Sequence, residues 1–257
     1  MDLTTLGCII QTRMGSSRLP GKVMKKLDGE KTVLDYVVDQ ISNSKLIDKV
    51  IIATTNESED DVIVEFAKNR NLDYFRGNTK DVLDRYYQCA KEFHLQTIVR
   101  VTSDCPLMDP VIIDNVIELF LSHECDYSTN KLPITSPECP QGVEVEVFSF
   151  QTLEKIWLES KLPSEREHVT PYIYNNPEKF TIISNSDYAE ICNLRYTIDK
   201  SDDLKLIKIL IKKIQNRPIL TSDVMLIFKN EPTLFDINRH YIRNEGYLKS
   251  LSKNYQK

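Results

Sequence analysis

The stretch that decides the fold is LGCIIQTRMGSSRLPGK, residues 6–22. Its first five residues are an apolar run that predicts a buried first strand. The next twelve, Gln11 to Lys22, read as a loop, and a helical pattern resumes at 33–41. Open α/β sheets bind phosphate groups at the loop between a strand and the helix that follows it. The stretch therefore predicts an α/β sheet with an anion site at its first loop.

The residue types of this loop favour a bound anion. Gly15 and Gly21 let a ligand approach the backbone, and two serines supply hydroxyl donors. Arg13, Arg18 and Lys22 would repel one another unless an anion were shared among them or solvent screened them. The alternative is a solvated basic loop without a ligand. Neither the P-loop pattern nor the dinucleotide-binding glycine pattern is present.

Composition limits the classes of function. The chain has 257 residues, of which 41% are hydrophobic and 28% charged, as in ordinary globular proteins. A net charge of -5 argues against a general nucleic-acid or membrane-surface binder, so an anion site must be local. The six cysteines form no C-x-x-C pair, which favours buried free thiols in a reducing cytosol. No signal peptide or membrane span is apparent, and we expect a cytoplasmic protein.

Apolar strands and amphipathic helices alternate along the first half of the chain. The predicted strands after the first lie at 49–54, 74–77 and 97–101, and the predicted helices lie at 60–69, 81–93 and 110–122. This alternation predicts an α/β fold with a doubly wound, mostly parallel, Rossmann-like sheet in a single domain over residues 1–257.

The middle of the chain has a different pattern. Prolines exclude a regular element at 129–141, and Val143, Val145 and Val147 alternate with glutamates in a predicted half-buried strand at 142–148. The remaining patterns predict helices at 151–158 and 165–175, strands at 179–184 and 194–198, and two or three helices after 201. We interpret 125–185 as an inserted β/helical arm for acceptor binding or dimerisation.

Two aspartates follow predicted strands. Asp104 comes after the fourth strand and Asp199 after the strand at 194–198. Carboxylates from two strand ends can hold one hard cation, which prefers oxygen ligands. The alternative for Asp104 is a turn cap. Ser201 and Asp203 fit the start of a helix better than a metal site, and Asp202 is a weaker metal candidate than Asp199.

The first loop resembles the signature Arg-x-Gly-Ser-x-Arg-x-Pro-x-Lys of the cytidylyltransferases that make CMP-sugars, the acylneuraminate and 3-deoxy-manno-octulosonate cytidylyltransferases. The matching residues are Arg13, Gly15, Ser16, Arg18, Pro20 and Lys22. The loop also resembles, nearly residue for residue, the beginning of the proteins in the branch named for spore-coat polysaccharide biosynthesis. The resemblance implies a nucleotidyltransferase fold, CTP and a small anionic sugar-like acceptor as substrates, and a homodimer.

The resemblance extends to about residue 205 and implies further site residues. Asp104 stands in an Asp-x-Pro segment whose carboxylate binds Mg²⁺, or Mn²⁺ in its place, although Ser103 replaces the usual glycine. Asp199 matches the position of the second metal carboxylate. The implied nucleotide contacts are Gln11, Gly15, Ser16, Ala53, Thr54, Arg76 and Asp81, and the implied acceptor contacts are Glu144, Arg166 and His168. A structural role for His168, and an Asp81–Arg85 ion pair within one helix, are the alternatives.

The resulting hypothesis is a cytidylyltransferase in which Arg13, Arg18 and Lys22 are the catalytic cations. They would hold the β- and γ-phosphates and stabilise departing pyrophosphate. One alternative is a nucleotide-binding regulatory module without turnover. Another is a glycosyltransferase that uses a nucleotide-sugar, although no Asp-x-Asp pair follows the fourth strand.

Overall fold

A single seven-stranded sheet organises the chain in the computed structural model, which describes residues 5–134, 138–185 and 188–255. The strands run in the order β3-β2-β1-β4-β6-β5-β7. Their bounds are β1 Leu6–Gln11, β2 Lys49–Thr55, β3 Asp73–Gly77, β4 Thr97–Thr102, β5 Tyr127–Thr129, β6 Glu146–Ser149 and β7 Ile182–Ser184. Of these seven strands, β6 alone runs antiparallel to its neighbours, β4 and β5. The predicted mostly parallel α/β sheet is confirmed.

Helices cover both faces of this sheet. Their bounds are α1 Val33–Ile41, α2 Asp61–Asn69, α3 Val82–Glu92, α4 Pro110–Leu121, α5 Phe150–Glu159, α6 Pro163–His168, α7 Pro171–Asn175, α8 Ser201–Lys213, α9 Thr221–Asn230 and α10 Glu245–Lys253. One hydrophobic cluster packs α1, α2, α4, α8 and α9 against the sheet, and a second packs α3, α5 and α7 on the other face. The result is the three-layer arrangement expected of a doubly wound sheet.

Local sequence sets where the central helices begin. Thr32 and Asp35 form a capping box at α1. Asp109 accepts a hydrogen bond from Val111 N at the start of α4, where Pro110 occupies the first turn. Asp81 caps α3 by accepting from Asp84 N. Among the described residues, the ion-pair partner of Asp81 is Arg166 and not Arg85, so the intrahelical pair that the spacing offered is not formed.

The middle of the chain differs most from the predictions. The predicted strand at 142–148 forms only from Glu146 onward. β5, which was not predicted, ends at Thr129, the first residue of the segment predicted to be irregular. The predicted helix at 165–175 is two helices, because Val169 has φ of 73° and interrupts the hydrogen-bond ladder. Within 125–185, three strands join the main sheet rather than extend from it. A role for this segment in dimerisation stays a prediction.

The segment 194–198 is not a strand, although its pattern predicted one. It forms a single bridge, between Arg195 and Gln141, and Ile198 N donates to Asp104 O over 2.7 Å. The segment therefore links two loops and brings Asp199 beside Asp104. The predicted strand would have placed Asp199 at the same sheet edge as Asp104, and this backbone hydrogen bond does so instead.

Two expectations from composition can be compared with the structure. Four of the six free cysteines are buried, while Cys125 and Cys192 are half-buried. Among the described residues, no helix combines the length and apolar character that a bilayer crossing requires.

Candidate active site

Two adjoining cavities open at the carboxyl ends of β1 and β4. The first, of about 420 Å³, lies over the loop Gln11–Lys22 and is called the loop cavity. The second, of about 210 Å³, lies between β4, β6 and the C-terminal residues and is called the inner cavity. Both cavities are lined by Arg18, Arg100, Thr102, Asp104, His168 and Gly246. Two ligands bound in them would therefore meet near Asp104.

The loop is held in shape by Asp60, a residue that the sequence analysis did not single out. Asp60 is 0% exposed, and its Oδ1 accepts from Met14 N over 2.6 Å. Its Oδ2 accepts a short hydrogen bond from Thr55 Oγ1 at the end of β2. Gly21, with φ of 64°, closes the loop by donating to Met14 O over 3.0 Å. An acid five residues after the end of β2 was the available signal in the sequence.

The loop cavity is strongly cationic. Its lining carries seven cations against two carboxylates, which suits a polyphosphate ligand. The cations are Arg13, Arg18, Lys22, Arg85, Arg100, Lys249 and Lys253, and the carboxylates are Asp104 and Glu167. Gln11, Gly15 and Ser16 line the same cavity, as the sequence predicted for nucleotide contacts.

Lys22 joins the two predicted metal ligands. Its Nζ donates to Asp104 Oδ2 over 2.7 Å and to Asp199 Oδ1 over 2.8 Å, and it also donates to Ile198 O over 2.8 Å. Burial opposes the charge of Lys22, but the two carboxylates outweigh it and raise its pKa. For Asp104, burial acts against ionisation, and Lys22 overcomes it and lowers the pKa to about 2. Lys22 and Asp104 are therefore both charged at neutral pH.

The carboxylate pair fits a hard cation that keeps several waters. The side chain of Asp104 is 23% exposed and faces both cavities, and its Oδ1 also accepts from Thr102 Oγ1 over 2.6 Å. Asp199 accepts from Arg18 over 2.6 Å as well as from Lys22. Within the described residues there is no cluster of three or more His, Cys, Asp or Glu side chains that could hold a metal ion. A cation would thus need oxygen ligands from water and phosphate.

Asp199 is positioned by a buried network that the sequence analysis missed. Arg195 donates to both oxygens of Asp203 over 2.8 Å and to Asp199 Oδ2 over 3.4 Å. Asp203 also accepts from the backbone N–H groups of Asp199 and Lys200, which confirms its predicted place at the start of α8. Asn238 closes the network on Asp203 over 2.9 Å.

The floor of the inner cavity is a buried charge cluster. Arg100 and Glu146 are directly opposite each other on β4 and β6 and form a short ion pair, and Lys131 Nζ lies 2.6 Å from Glu146 Oε1. Arg100 also donates to Gln11 Oε1 over 3.0 Å, which ties this cluster to the first loop. The prediction of a half-buried strand, with its glutamates towards solvent, is therefore wrong at Glu146, whose side chain is 3% exposed.

The charge cluster predicts a specific acid sensitivity. Burial alone would raise the pKa of Glu146, but Lys131 and Arg100 lower it from 4.5 to about 2. A depressed carboxylate pKa stabilises the fold above the unfolded pKa, and this contribution is lost as pH falls through the folded value. We expect Glu146→Gln to lower the free energy of unfolding by about 3 kcal/mol at pH 7. Urea unfolding from pH 7 to 2 should show a smaller pH dependence in the variant, and equal slopes would contradict this.

His168 lies between the two cavities as a neutral imidazole. Its Nε2 is buried and has no hydrogen-bond partner in the part of the chain that the structure describes, and its ring stands edge-on to Tyr247 at 5.3 Å. Burial, followed by the charges of Arg100 and Lys131, lowers the pKa of His168 to about 3. Glu144, the neighbouring predicted acceptor contact, pairs with Arg243 over 2.9 Å and lines the inner cavity. The free Nε2 is suited to a ligand hydrogen bond.

Because His168 is neutral, we expect the pH profile of kcat/KM to show no ionisation near 6.5, the usual pKa of a histidine. His168→Gln should weaken substrate binding by about tenfold, because one buried hydrogen bond is lost. The shape of the kcat/KM profile between pH 5.5 and 8 should not change, since the imidazole does not titrate there. Disappearance of an ionisation near pH 6.5 in the variant would show instead that His168 acts as a base.

Arg166, Asp81 and Arg76 were expected to contact a ligand, but the structure does not place them in the lining of either cavity. Arg166 pairs with Asp81 over 2.5 Å and donates to Trp157 O, and neither Arg166 nor Asp81 is among the residues that line the two cavities. Arg76 donates to Thr55 O, Glu57 O and Asp61. Their assignment to ligand binding stays a prediction, and the contacts of all three are within the protein.

The base-contact segment at the end of β2 lies beneath the loop. Ala53 O accepts from Thr12 N over 3.1 Å, which joins β2 to the first loop. Thr54 is fully buried, and its Oγ1 has no hydrogen-bond partner within the described residues. These residues place β2 next to the nucleotide loop, and direct contact with a base stays a prediction.

The C-terminal segment completes both cavities, which no pattern in the sequence indicated. Arg243 and Tyr247 line the inner cavity, and Lys249 and Lys253 line the loop cavity. Glu245 connects this segment to Lys200 over 2.8 Å and to Arg18 over 3.7 Å. α10, which holds Glu245, Tyr247, Lys249 and Lys253, packs on α6.

Comparison with known proteins gives a consistent family. The sequence profile of the cytidylyltransferase family matches residues 7–229. An uncharacterized protein of Methanocaldococcus jannaschii is 37% identical over 93% of this chain and 96% of its own. The spore coat polysaccharide biosynthesis protein SpsF of Bacillus subtilis is 29% identical over 86% of this chain and 92% of its own.

Solved structures agree with this result. A cytidylyltransferase from Leptospira borgpetersenii superposes with a TM-score of 0.85 at 33% identity, covering 91% of this chain and 97% of that one. A second structure, CMP:2-keto-3-deoxy-manno-octonic acid synthetase in complex with CTP, shares the fold with a TM-score of 0.61 at 12% identity. The match covers 81% of this chain and 99% of that one. The chain therefore belongs to the cytidylyltransferase family, in the branch of SpsF, and is a CTP-dependent nucleotidyltransferase.

Proposed function

We propose that the protein transfers CMP from CTP to a small anionic sugar-like acceptor and releases pyrophosphate. The observation that carries this proposal is the pair of adjoining cavities that share Asp104, one of them lined by seven cations. The loop cavity would take the triphosphate, and the inner cavity would take the acceptor. An acceptor oxygen could then reach the α-phosphorus near Asp104.

The chemistry would depend on positioning and charge. An acceptor oxygen attacks the α-phosphorus in line, the bond from that phosphorus to the bridging oxygen of the β-phosphate breaks, and pyrophosphate leaves. Arg13, Arg18 and Lys22 would bind the departing phosphates and stabilise their growing charge. Asp104 and Asp199 would hold Mg²⁺, which supplies charge neutralisation and lowers the pKa of the acceptor hydroxyl when bound. No protein nucleophile takes part.

The acceptor would be a polar, polyhydroxylated molecule. The lining of the inner cavity carries four cations and five carboxylates, so hydroxyl groups would find both donors and acceptors there. Glu144 and His168 are suited to hydroxyl contacts. Lys131 and Arg243 are the cations, beyond those of the loop cavity, that a carboxylate of the acceptor would approach. The similarity to a spore-coat polysaccharide protein supports a product used in surface polysaccharide synthesis.

The test is pyrophosphate release from CTP. The protein is incubated with CTP, Mg²⁺ and a panel of acidic sugars, including 3-deoxy sugar acids and sialic-acid-like sugars, with neutral sugars as controls. We expect stoichiometric pyrophosphate and a CMP adduct with an acidic acceptor. Release of nucleoside diphosphate from a nucleotide-sugar would favour a glycosyltransferase. CTP binding without turnover on any acceptor would favour a regulatory module.

Two further proposals concern assembly and location; the first comes from the resemblance alone and the second from the cysteine pattern. We propose that the protein is a homodimer that uses segment 125–185 as an interface, and that it acts in the cytoplasm. Light scattering after gel filtration tests the first point. A monomer mass at micromolar concentration would exclude it.

A further inference from the structure

The C-terminal helix α10 is held in place weakly. Of its nine residues, all of which the structure describes, Ser250 alone is buried. The end of the helix is tied to α6 by polar contacts. Asn254 forms hydrogen bonds of 3.0 and 2.8 Å with Ser164, and Lys253 lies 3.5 Å from Glu167. Because such exposed polar contacts add little stability, α10 is an element that can open locally.

Two faces of α10 border different spaces. Gly246, Lys249 and Lys253 recur at spacings of three and four residues, so they share one face, and all three line the loop cavity. Leu248 and Leu251 lie on another face and line an apolar groove of about 850 Å³, here called the C-terminal groove. Leu248 is 52% exposed. The two leucines therefore border this groove without filling it.

The C-terminal groove offers a gain in apolar burial if the helix moves. Apolar side chains dominate its lining, and Leu132, Ile134 and Ile182 are among them. Movement of Leu248 and Leu251 deeper into the groove would remove apolar surface from water. The groove thus favours a closed position of α10.

A hinge precedes α10. Arg243 is anchored, because its Nη1 donates to Cys139 O over 2.6 Å and to Cys192 O over 3.1 Å. Asn244 follows with φ of 57°, in the left-handed region that asparagine tolerates, and Gly246 is the second residue of the helix. The chain is therefore fixed at Arg243 and can turn immediately after it.

The lysines that line the loop cavity have exchangeable partners. Lys249 lies 2.6 Å from Glu245 and Lys253 lies 3.5 Å from Glu167, and the two lysine side chains are 66% and 56% exposed. Exposed pairs of this kind are weak. A polyphosphate carries more charge than one carboxylate and attracts lysine as a point charge. A polyphosphate in the loop cavity would therefore compete for both ammonium groups.

We propose that α10 is a strap that closes over the loop cavity when a polyphosphate occupies it. Lys249 and Lys253 exchange their carboxylate partners for phosphate oxygens, and Leu248 and Leu251 pack into the C-terminal groove. Without the anion, closure would bring two lysines towards a cavity that is already rich in cations, and the repulsion keeps the strap open. The inference rests on CTP binding in the loop cavity, which is part of the proposed function.

The first test is amide hydrogen exchange of residues 245–253, followed by mass spectrometry. The free protein is compared with the protein at saturating CTP, CMP or pyrophosphate, each with Mg²⁺, so that no acceptor is needed. We expect CTP and pyrophosphate to slow exchange in α10 by at least about tenfold, because both bind the closed state better. CMP has a single phosphate and should slow exchange by less than about threefold.

The second test replaces both lysines, as Lys249→Met/Lys253→Met. We expect calorimetric titration to show CTP and pyrophosphate affinities lowered by at least about tenfold and CMP affinity changed by less than about threefold. The protection of α10 by CTP should disappear as well. Lys205→Met/Lys208→Met is the matched control, because these two exposed lysines lie on α8 outside the lining of both cavities.

A third variant, Leu248→Ser/Leu251→Ser, tests the C-terminal groove separately. Neither leucine lines the loop cavity, and no charge changes. Closure would then bury less apolar surface, so we expect CTP affinity to fall by about fivefold. Wild-type CTP affinity in this variant would contradict the role of the groove.

Unchanged exchange in residues 245–253 at saturating CTP would overturn the inference, and so would wild-type affinity for CTP and pyrophosphate in the lysine variant. Equal losses for CMP, CTP and pyrophosphate would overturn it too, since the lysines would then not respond to a polyphosphate. Protection of α10 that rises with protein concentration, without ligand, would place a second copy in the C-terminal groove and exclude the strap. A wild type that does not bind CTP would instead overturn the proposed function, which separates the two failures.

Discussion

Replacing Asp104 by asparagine is expected to lower the rate of nucleotidyl transfer by at least about a thousandfold. With its pKa lowered to about 2, Asp104 is ionised throughout the neutral range, and it lies where the two cavities meet. The amide keeps the shape of the side chain but removes the charge that would hold a cation at the reacting phosphate. CTP affinity should fall by no more than about tenfold, because the loop cations remain.

Pyrophosphate release and CTP titration, each over a range of Mg²⁺ concentrations, measure these two effects separately. Asp236→Asn serves as the matched control, since Asp236 is an exposed acid outside both cavities. Unchanged Mg²⁺ dependence in Asp104→Asn would place the metal site elsewhere. A parallel loss of binding and turnover would make Asp104 a binding residue rather than a residue of the transfer step.

Lys22→Met is expected to reduce turnover by at least about a thousandfold and to destabilise the fold by about 3–5 kcal/mol. The rate loss follows from removing a point charge beside the departing pyrophosphate. The stability loss follows because Asp104 and Asp199 would then face each other without the cation that bridges them at 2.7 and 2.8 Å. Methionine retains the length of the stem, so the change is mainly one of charge.

Denaturant unfolding at several pH values separates the two effects of Lys22→Met. Without the ammonium the pKa of Asp104 should rise, so the stability difference from wild type should narrow below about pH 4. Lys26→Met, at an exposed lysine of the same region, is the control. A Lys22→Met protein with wild-type turnover would remove Lys22 from the mechanism.

The parts of the fold that local sequence controls were predicted well. The apolar runs of β1, β2 and β4, with the helical spacing of apolar residues between them, gave a mostly parallel sheet with α2, α3 and α4 within a few residues of their bounds. The loop Gln11–Lys22 stood out because its glycines and cations are adjacent in the chain. Asp104 could be placed at the same sheet edge because parallel strands end together.

The residues that were missed act through long-range pairing. Glu146 appeared to face solvent because it alternates with valines, but β6 lies inside the sheet and faces Arg100 and Lys131 there. Arg195 seemed an ordinary residue of a strand, whereas it anchors Asp199 and Asp203. Sequence spacing carries no information on which distant charges meet.

The C-terminal helix shows the same limit. Its amphipathic pattern predicted a helix but did not indicate where that helix packs in the fold. In the structure, α10 places Lys249 and Lys253 in the lining of the loop cavity. These residues lie beyond 7–229, the part of the chain that matches the family profile. Only the three-dimensional structure shows that Lys249 and Lys253 contribute to the loop cavity.

The most direct test of the central claim is thermal unfolding with CTP, UTP, ATP and GTP, each with and without Mg²⁺. A ligand that binds only the native state raises the midpoint by mass action, so the acceptor need not be known. We predict an increase of several degrees with CTP that depends on Mg²⁺, and little change with the other three. An equal shift with all four nucleotides, or a shift with a different one alone, would contradict the assignment of this site to CTP.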